Sequence, residues 1–390
     1  MLLMQAEPWR SDETLGQHLE RQGVTRRQFL SYCGEIGAIL GLGSMAGPKI
    51  LDALIQLRRP SVIWLQLQEC TGCVESVLRT ESPTIGDLVL DTISLDYQHT
   101  LMAAAGDAAE DALHAAMEEN FGDYILVVTG SVPLAEGGIY TTIAGRTAET
   151  ILTEAGEGAA AVLAVGACAH YGSVQAAKPN PTDAVGVEEI ITDKPVVNIA
   201  GCPPIADTVT ATLAHYLTFG RLPQMDGQGR PLFAYGARIH DQCPKRANYD
   251  AGQFVESFDD EGARKGWCLY KVGCKGPATF SPCPIFLWNS GTDWPIGAGH
   301  PCIGCTEPHF WDTMTPFYER LPGIGGFGVE GTADTIGAAL AAGATAGVLA
   351  HAAATGVQRM REKKKGKREL PVLDGNGESP GSEMSGSEDR

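Results

Sequence analysis

Eleven cysteines are spread over 390 residues, and their spacing separates exported disulfides from metal ligands. Cys70 and Cys73 stand in Glu69-Cys70-Thr71-Gly72-Cys73, Cys168 in Gly166-Ala167-Cys168, and Cys202 in Gly201-Cys202-Pro203-Pro204. Each group directly follows a short apolar run. Four thiolates brought to one place form a soft tetrahedral donor set, which suits zinc or an iron–sulfur cluster. Buried structural cysteines would account for one or two of these positions, not for four at equivalent places. A second set lies further on: His240-Asp-Gln-Cys243, Cys268, Cys274, Cys283 and His300-Pro-Cys302-Ile-Gly-Cys305. Six cysteines within 63 residues, with an imidazole three residues before the first, again have the chemistry of metal ligands. The aromatic residues among them (Trp267, Tyr270, Phe286, Trp288, Trp294, Phe310 and Trp311) would surround such centres with a low-dielectric shell.

The elements that must position the first set are legible. Ser61–Leu67, Asp91–Leu95, Tyr124–Thr129, Ala160–Val165 and Pro195–Ala200 read as buried strands, and Ala103–Asn120 and Ile205–Phe219 read as helices between or after them. Such alternation predicts an α/β fold with an open, flavodoxin-like parallel sheet over residues 60–220. Ligands bind such sheets in the crevice at the carboxyl ends of the strands, where all four cysteines fall. From 221 to 330 strand signals fade and Gly, Pro, aromatic and Cys residues dominate. An irregular, cysteine-rich domain is expected there.

Composition narrows the function. Acids outnumber bases 47 to 29, a net charge of −18, which argues against a nucleic-acid binder working by phosphate neutralisation. With 44% hydrophobic residues the chain has ample material for buried cores.

The ends carry their own signals. Thr25-Arg26-Arg27-Gln28-Phe29-Leu30, followed by the apolar, Gly-rich run Ile36–Ala46, has the pattern of a twin-arginine export signal over residues 1–46, with Ser44-Met45-Ala46 as the cleavage region. That route exports folded proteins and predicts a periplasmic location. Thr335–Gln358 carries no formal charge over 24 residues and holds Gly343-Ala-Thr-Ala-Gly347, a small-xxx-small packing pattern. It is long enough to span a bilayer; the alternative is an Ala-rich helix packed on a partner subunit. The basic stretch 359–368 would keep its C-terminal side in the cytoplasm, and the whole segment 359–390 reads as a charged, disordered tail.

Taken together, Glu69-Cys-Thr-Gly-Cys73, His240-Asp-Gln-Cys-Pro, Asp259-Asp-Glu-Gly-Ala-Arg-Lys-Gly-Trp-Cys268 and Ala298-Gly-His-Pro-Cys-Ile-Gly-Cys305 closely resemble the small subunit of nickel–iron hydrogenases, over roughly residues 26–350. The resemblance implies an electron-transfer subunit whose nickel–iron centre lies in a separate large subunit. It also implies two [4Fe–4S] clusters and one [3Fe–4S] cluster. Cys70, Cys73, Cys168 and Cys202 would hold the proximal [4Fe–4S] cluster. Cys283, Cys302 and Cys305 would hold the medial [3Fe–4S] cluster, with Pro295 where a fourth thiolate could stand. His240, Cys243, Cys268 and Cys274 would hold the distal [4Fe–4S] cluster. A proton-relay role is implied for Glu69, and a membrane cytochrome or similar redox protein as electron acceptor. Ten of the eleven thiols are then assigned and Cys33 lies in the export signal. None is left for the six-thiol proximal site of oxygen-tolerant members, so inhibition by air is expected. The rivals are a zinc-stabilised, non-redox interaction protein and a related iron–sulfur subunit of a respiratory complex.

Overall fold

Five strands form one fully parallel sheet: Ser61–Gln66 (β1), Ser94–Gln98 (β2), Tyr124–Thr129 (β3), Ala159–Val165 (β4) and Val196–Ile199 (β5). The computed structural model describes residues 14–21, 24–43, 46–54, 59–81, 84–320 and 333–366. The strand order β2-β1-β3-β4-β5 is that of flavodoxin-like folds, so the expected class holds, with a topological switch point between β1 and β3.

Eight helices matter for the argument before the last one: Leu15–Arg21 (α1), Arg26–Ile39 (α2), Gly47–Leu54 (α3), Gly72–Val77 (α4), Asp107–Glu119 (α5), Ala148–Glu157 (α6), Ala167–Tyr171 (α7) and Ala206–Phe219 (α8). β1, β3, β4 and β5 are buried on both faces, which is why they read as continuous apolar runs, whereas β2 is half-buried. Ile63, Leu65, Leu126 and Val128 pack on one side with Leu113 of α5 and Ile151 and Leu152 of α6. Val62, Trp64, Ile125 and Val127 pack on the other with Val74 and Val77 of α4 and Val209 and Leu213 of α8.

The second strand departs from the sequence expectation. Asp87–Thr92 form a π-helical turn, and β2 starts only at Ser94. Its register is set by its neighbour: the Ser94 N–H donates to Pro60 O at 2.8 Å, Ser61 pairs with Ser94, and Arg59 donates to the carbonyls of Ile93 and Val89. Pairing begins where β1 begins.

At the N-terminus, Thr25 caps α2 in a reciprocal capping box with Gln28, so both arginines of the Arg26-Arg27 pair stand exposed in the first helical turn. Phe29, Cys33 and Ile36 of α2, with Ile50 and Leu51 of α3, bury against Ala211 and Ala214 of α8. Burial pushes the Cys33 thiol up to about 12. Ser44 and Met45 of the cleavage region lie outside the described residues, as does the tail from 367 onward.

Beyond α8 the chain turns irregular, as its composition foretold. Short helical turns and isolated bridges such as Arg238–Phe280 and Phe254–Cys268 replace the ladder. Ile239, Val255, Leu269, Val272, Trp294 and Ile296 form a small core, packed directly against Cys243, Cys274, Cys283 and Cys302.

Residues 331–390 make a separate unit. Its helix, Ala333–Gly366 (α9), contains the Ala339–Lys364 stretch, which is long and apolar enough by length and composition to cross a membrane and has none of its apolar window buried.

Candidate metal centres

The turn after β1 is pinned before it delivers its cysteines. Gln68 and Ser131 exchange backbone hydrogen bonds of 3.1 and 3.0 Å, tying the ends of β1 and β3 together. Gly130 permits this: at φ +90, a Cβ there would come within 2.8 Å of the Gln68 backbone. Thr71 then takes a left-handed conformation (φ 66) and α4 begins at Gly72. The result splits the pair: Cys73 is buried and Cys70 is exposed. Ser76 in α4 donates to Pro204 O at 2.6 Å, which brings the Cys202 loop against the same turn. Cys168 enters on the first turn of α7. Gly166 before it lies so close to Cys73 that a Cβ would sit 2.3 Å from Cys73 Sγ.

The four thiols expected together are therefore brought together. Cys168, Cys202 and Cys70 all act electrostatically on Cys73. Burial first, then the neighbouring sulfurs, pushes Cys73 well up and Cys168 up to about 11. Burial also raises Cys202. A metal bound here would displace these protons and hold the sulfurs as thiolates. Glu69 is half-buried beside them. Its Oε1 accepts from Gln66 Nε2 at 2.8 Å, and burial raises its carboxyl against the hydrogen bonds of Gln66 and Thr129. Gln175, which sequence reasoning missed, lies 3.4 Å from Cys168 Sγ through its Oε1 and donates to Gln68 O at 3.0 Å. No spacing rule marks such a residue, because it reaches the site from another loop.

Cys283, Cys302 and Cys305 line a cavity of about 190 Å³ together with Pro295, Trp288 and Trp294. Ser281 Oγ lies 3.2 Å from Cys283 Sγ, and the Gly304 N–H donates to Cys302 Sγ at 3.3 Å. Burial pushes Cys305 up to about 12 and Cys302 well above its ordinary range. His240, Cys243, Cys268 and Cys274 line one further cavity, with Lys245, Arg246 and Tyr249 at its edge. The His240 ring meets Tyr249 edge-on at 4.7 Å. Burial, and then Arg246, lowers it to about 4, which keeps the imidazole neutral as a ligand must be.

The three groups are contiguous. Cys202, from the strand-end group, also lines the Cys283–Cys302–Cys305 cavity. Ile239 lines that cavity and the His240 cavity alike. Cys274 and Cys302 are electrostatic neighbours, and the Lys275 N–H following Cys274 donates to Cys302 O at 2.8 Å. A single zinc ion would draw its thiolates to within about 4 Å of one another, given Zn–S bonds of about 2.3 Å. Among the described residues no three His, Cys, Asp or Glu side chains close on one metal ion in that way.

Residues 235–318 match the family model for the C-terminal part of the NiFe/NiFeSe hydrogenase small subunit, and residues 70–216 that of the 20 kDa subunit of NADH ubiquinone oxidoreductase. The uptake hydrogenase small subunit of Azotobacter vinelandii is 52% identical over 351 residues, covering 90% of this chain and 98% of that one. The chain belongs to the small subunits of nickel–iron hydrogenases. The hydrogenase-1 small chain of Escherichia coli K12 is 47% identical, covering 90% of this chain and 94% of its own. Among solved structures, the [NiFeSe] hydrogenase of Dm. baculatum superposes with a TM-score of 0.63 at 34% identity, covering 68% of this chain and all of that one. That of Desulfovibrio vulgaris Hildenborough gives 0.63 at 37% identity, with 67% and 98% covered. As a hydrogenase small subunit the chain carries iron–sulfur clusters and transfers electrons, and it pairs with a large subunit that holds the nickel–iron active site. Neither the zinc protein nor the respiratory-complex subunit is favoured.

Proposed function

We propose that Cys70, Cys73, Cys168 and Cys202 hold a proximal [4Fe–4S] cluster, Cys283, Cys302 and Cys305 a medial [3Fe–4S] cluster, and His240, Cys243, Cys268 and Cys274 a distal [4Fe–4S] cluster. When bound, the clusters supply one-electron carriers in series between the large subunit and an external acceptor. The observation that carries this reading is the contiguity of the three groups, with Cys202 reaching the medial cavity and Cys274 meeting Cys302. This chain's residues space the carriers, bury Cys73 and Cys168, half-bury Cys302 and Cys305, and leave Cys70 and Cys202 exposed for the large subunit to cover. Anaerobic purification of the heterodimer tests it. About eleven iron atoms per small subunit are expected (four, three and four), with broad visible absorption bleached by dithionite. A colourless protein holding zinc would defeat it.

Three finer points belong to the same reading. Glu69 moves protons beside the proximal site; full turnover with an unchanged pH profile in Glu69→Gln removes that role. Export through the twin-arginine signal places the complex in the periplasm, and the helix over 335–358 anchors it to the inner membrane beside a cytochrome or other redox acceptor. The length and exposure of α9, and the basic residues from Arg359 at its C-terminal end, support the anchor. A chain ending before residue 335 is expected in the soluble periplasmic fraction; one still pelleting with membranes sinks the anchor.

A further inference from the structure

Lys275 is 1% exposed, whereas the other lysines whose burial is described are half-buried or exposed. It directly follows Cys274, and its backbone N–H bonds to Cys302 O at 2.8 Å, so its own main chain joins the distal and medial groups. The side chain turns inward: Nζ donates to Pro316 O at 3.1 Å and to Glu319 O. These partners are neutral backbone carbonyls. They satisfy its hydrogens and leave its charge to be balanced by the surroundings. The side chains that act on it electrostatically are Cys274 and Cys302, one from each ligand set, and the Glu319 carboxylate.

We propose that Lys275 is a positioning charge for electron transfer: a buried ammonium at the medial–distal junction that raises the reduction potentials of both centres. A fixed cation favours the more negative, reduced state of any nearby cluster, and a dry site magnifies the effect. It acts as a constant charge, with no titration required. This inference rests on the cluster assignment above.

The test is a redox titration followed by EPR on the intact heterodimer, with iron content measured first. Lys275→Gln removes the charge but keeps an amide donor for the carbonyls, Lys275→Met removes both, and Lys275→Arg keeps the charge. Both neutral variants are expected to shift the medial and distal potentials downward by similar amounts and to move the proximal one less, while Lys275→Arg stays near wild type. Unchanged potentials in Lys275→Gln overturn the proposal and leave a carbonyl tether. So does an equal downward shift in Lys275→Arg. Neutral variants that load neither cluster overturn it as well, because a tuning charge is dispensable for assembly. A wild-type protein without iron fails the cluster assignment itself; iron-replete protein with indifferent potentials fails only the role of Lys275.

Discussion

The sheet half and the irregular half hold their cysteines in opposite ways. In the first, the backbone ladder of β1, β3, β4 and β5 exists without the ligands, and Cys70, Cys73, Cys168 and Cys202 are appended to strand ends that hydrogen bonds have already placed. In the second, the described residues bury their apolar side chains in several small clusters, and four of the ligating thiols, partly buried, pack against the largest of these, which has six buried residues. Position therefore comes from secondary structure in one half and from the ligands in the other. A scaffold of the first kind tolerates an empty site, whereas a scaffold of the second kind is completed by what it binds.

The largest effect should follow removal of iron. In protein made under iron starvation, amides of residues 239–305 should lose hydrogen-exchange protection by several kcal/mol, while those of β1, β3, β4 and β5 keep theirs. Equal protection in both halves would erase the contrast. Next comes the joint between the halves. Arg230 is 3% exposed and donates to Asp226 (2.8 Å), Glu307 (3.2 Å) and Thr306 O (3.0 Å), so it links the loop after α8 to the segment just past Cys305. Arg230→Met leaves the half-buried Asp226 and buried Glu307 carboxylates facing each other, and should cost about 3–5 kcal/mol in denaturant titration. A loss below about 1 kcal/mol would make the joint no stronger than a surface ion pair.

A smaller and more local effect is expected at Gly166. Its φ of +98 and the 2.3 Å approach of a Cβ to Cys73 Sγ mean that Gly166→Ala strains the backbone by about 1–3 kcal/mol and displaces Cys73. The proximal EPR signal should disappear while the medial and distal signals remain. Gly72→Ala is the control, since there the Cβ meets Cys70 Sγ at 3.2 Å; equal damage from both would dissociate the effect from Cys73. The smallest structural change is His240→Cys. An added thiolate lowers the distal potential and slows reduction of external acceptors, with little effect on stability. Hydrogen–deuterium exchange at the large subunit should survive; equal loss in both assays would indicate misassembly instead.

Much of this was legible without coordinates. The runs at 61–67, 124–129, 160–165 and 195–200 became strands within a residue or two, because strands buried on both faces announce themselves by composition alone. The run at 91–95 was placed early: Asp91 and Thr92 still belong to a helical turn, and the strand begins only at Ser94, where it can pair with the start of β1. The cysteine and histidine groupings were also legible, since the donor atoms are the chemistry.

The sequence by itself determined which residues can bind soft metals, that four of them end strands, and that the rest lie in a stretch too irregular to place them by a ladder. Only the tertiary structure decided that Cys202 serves the edge of two groups, that Cys274 and Cys302 are neighbours, that Gln175 reaches Cys168, and that Arg230 and Lys275 are buried where the halves and the cavities meet. The physical reason is range. Periodicity and ligand type are written within a few residues of the chain, whereas burial of a charge and adjacency of two sites depend on which distant loops the folded sheet brings to one end.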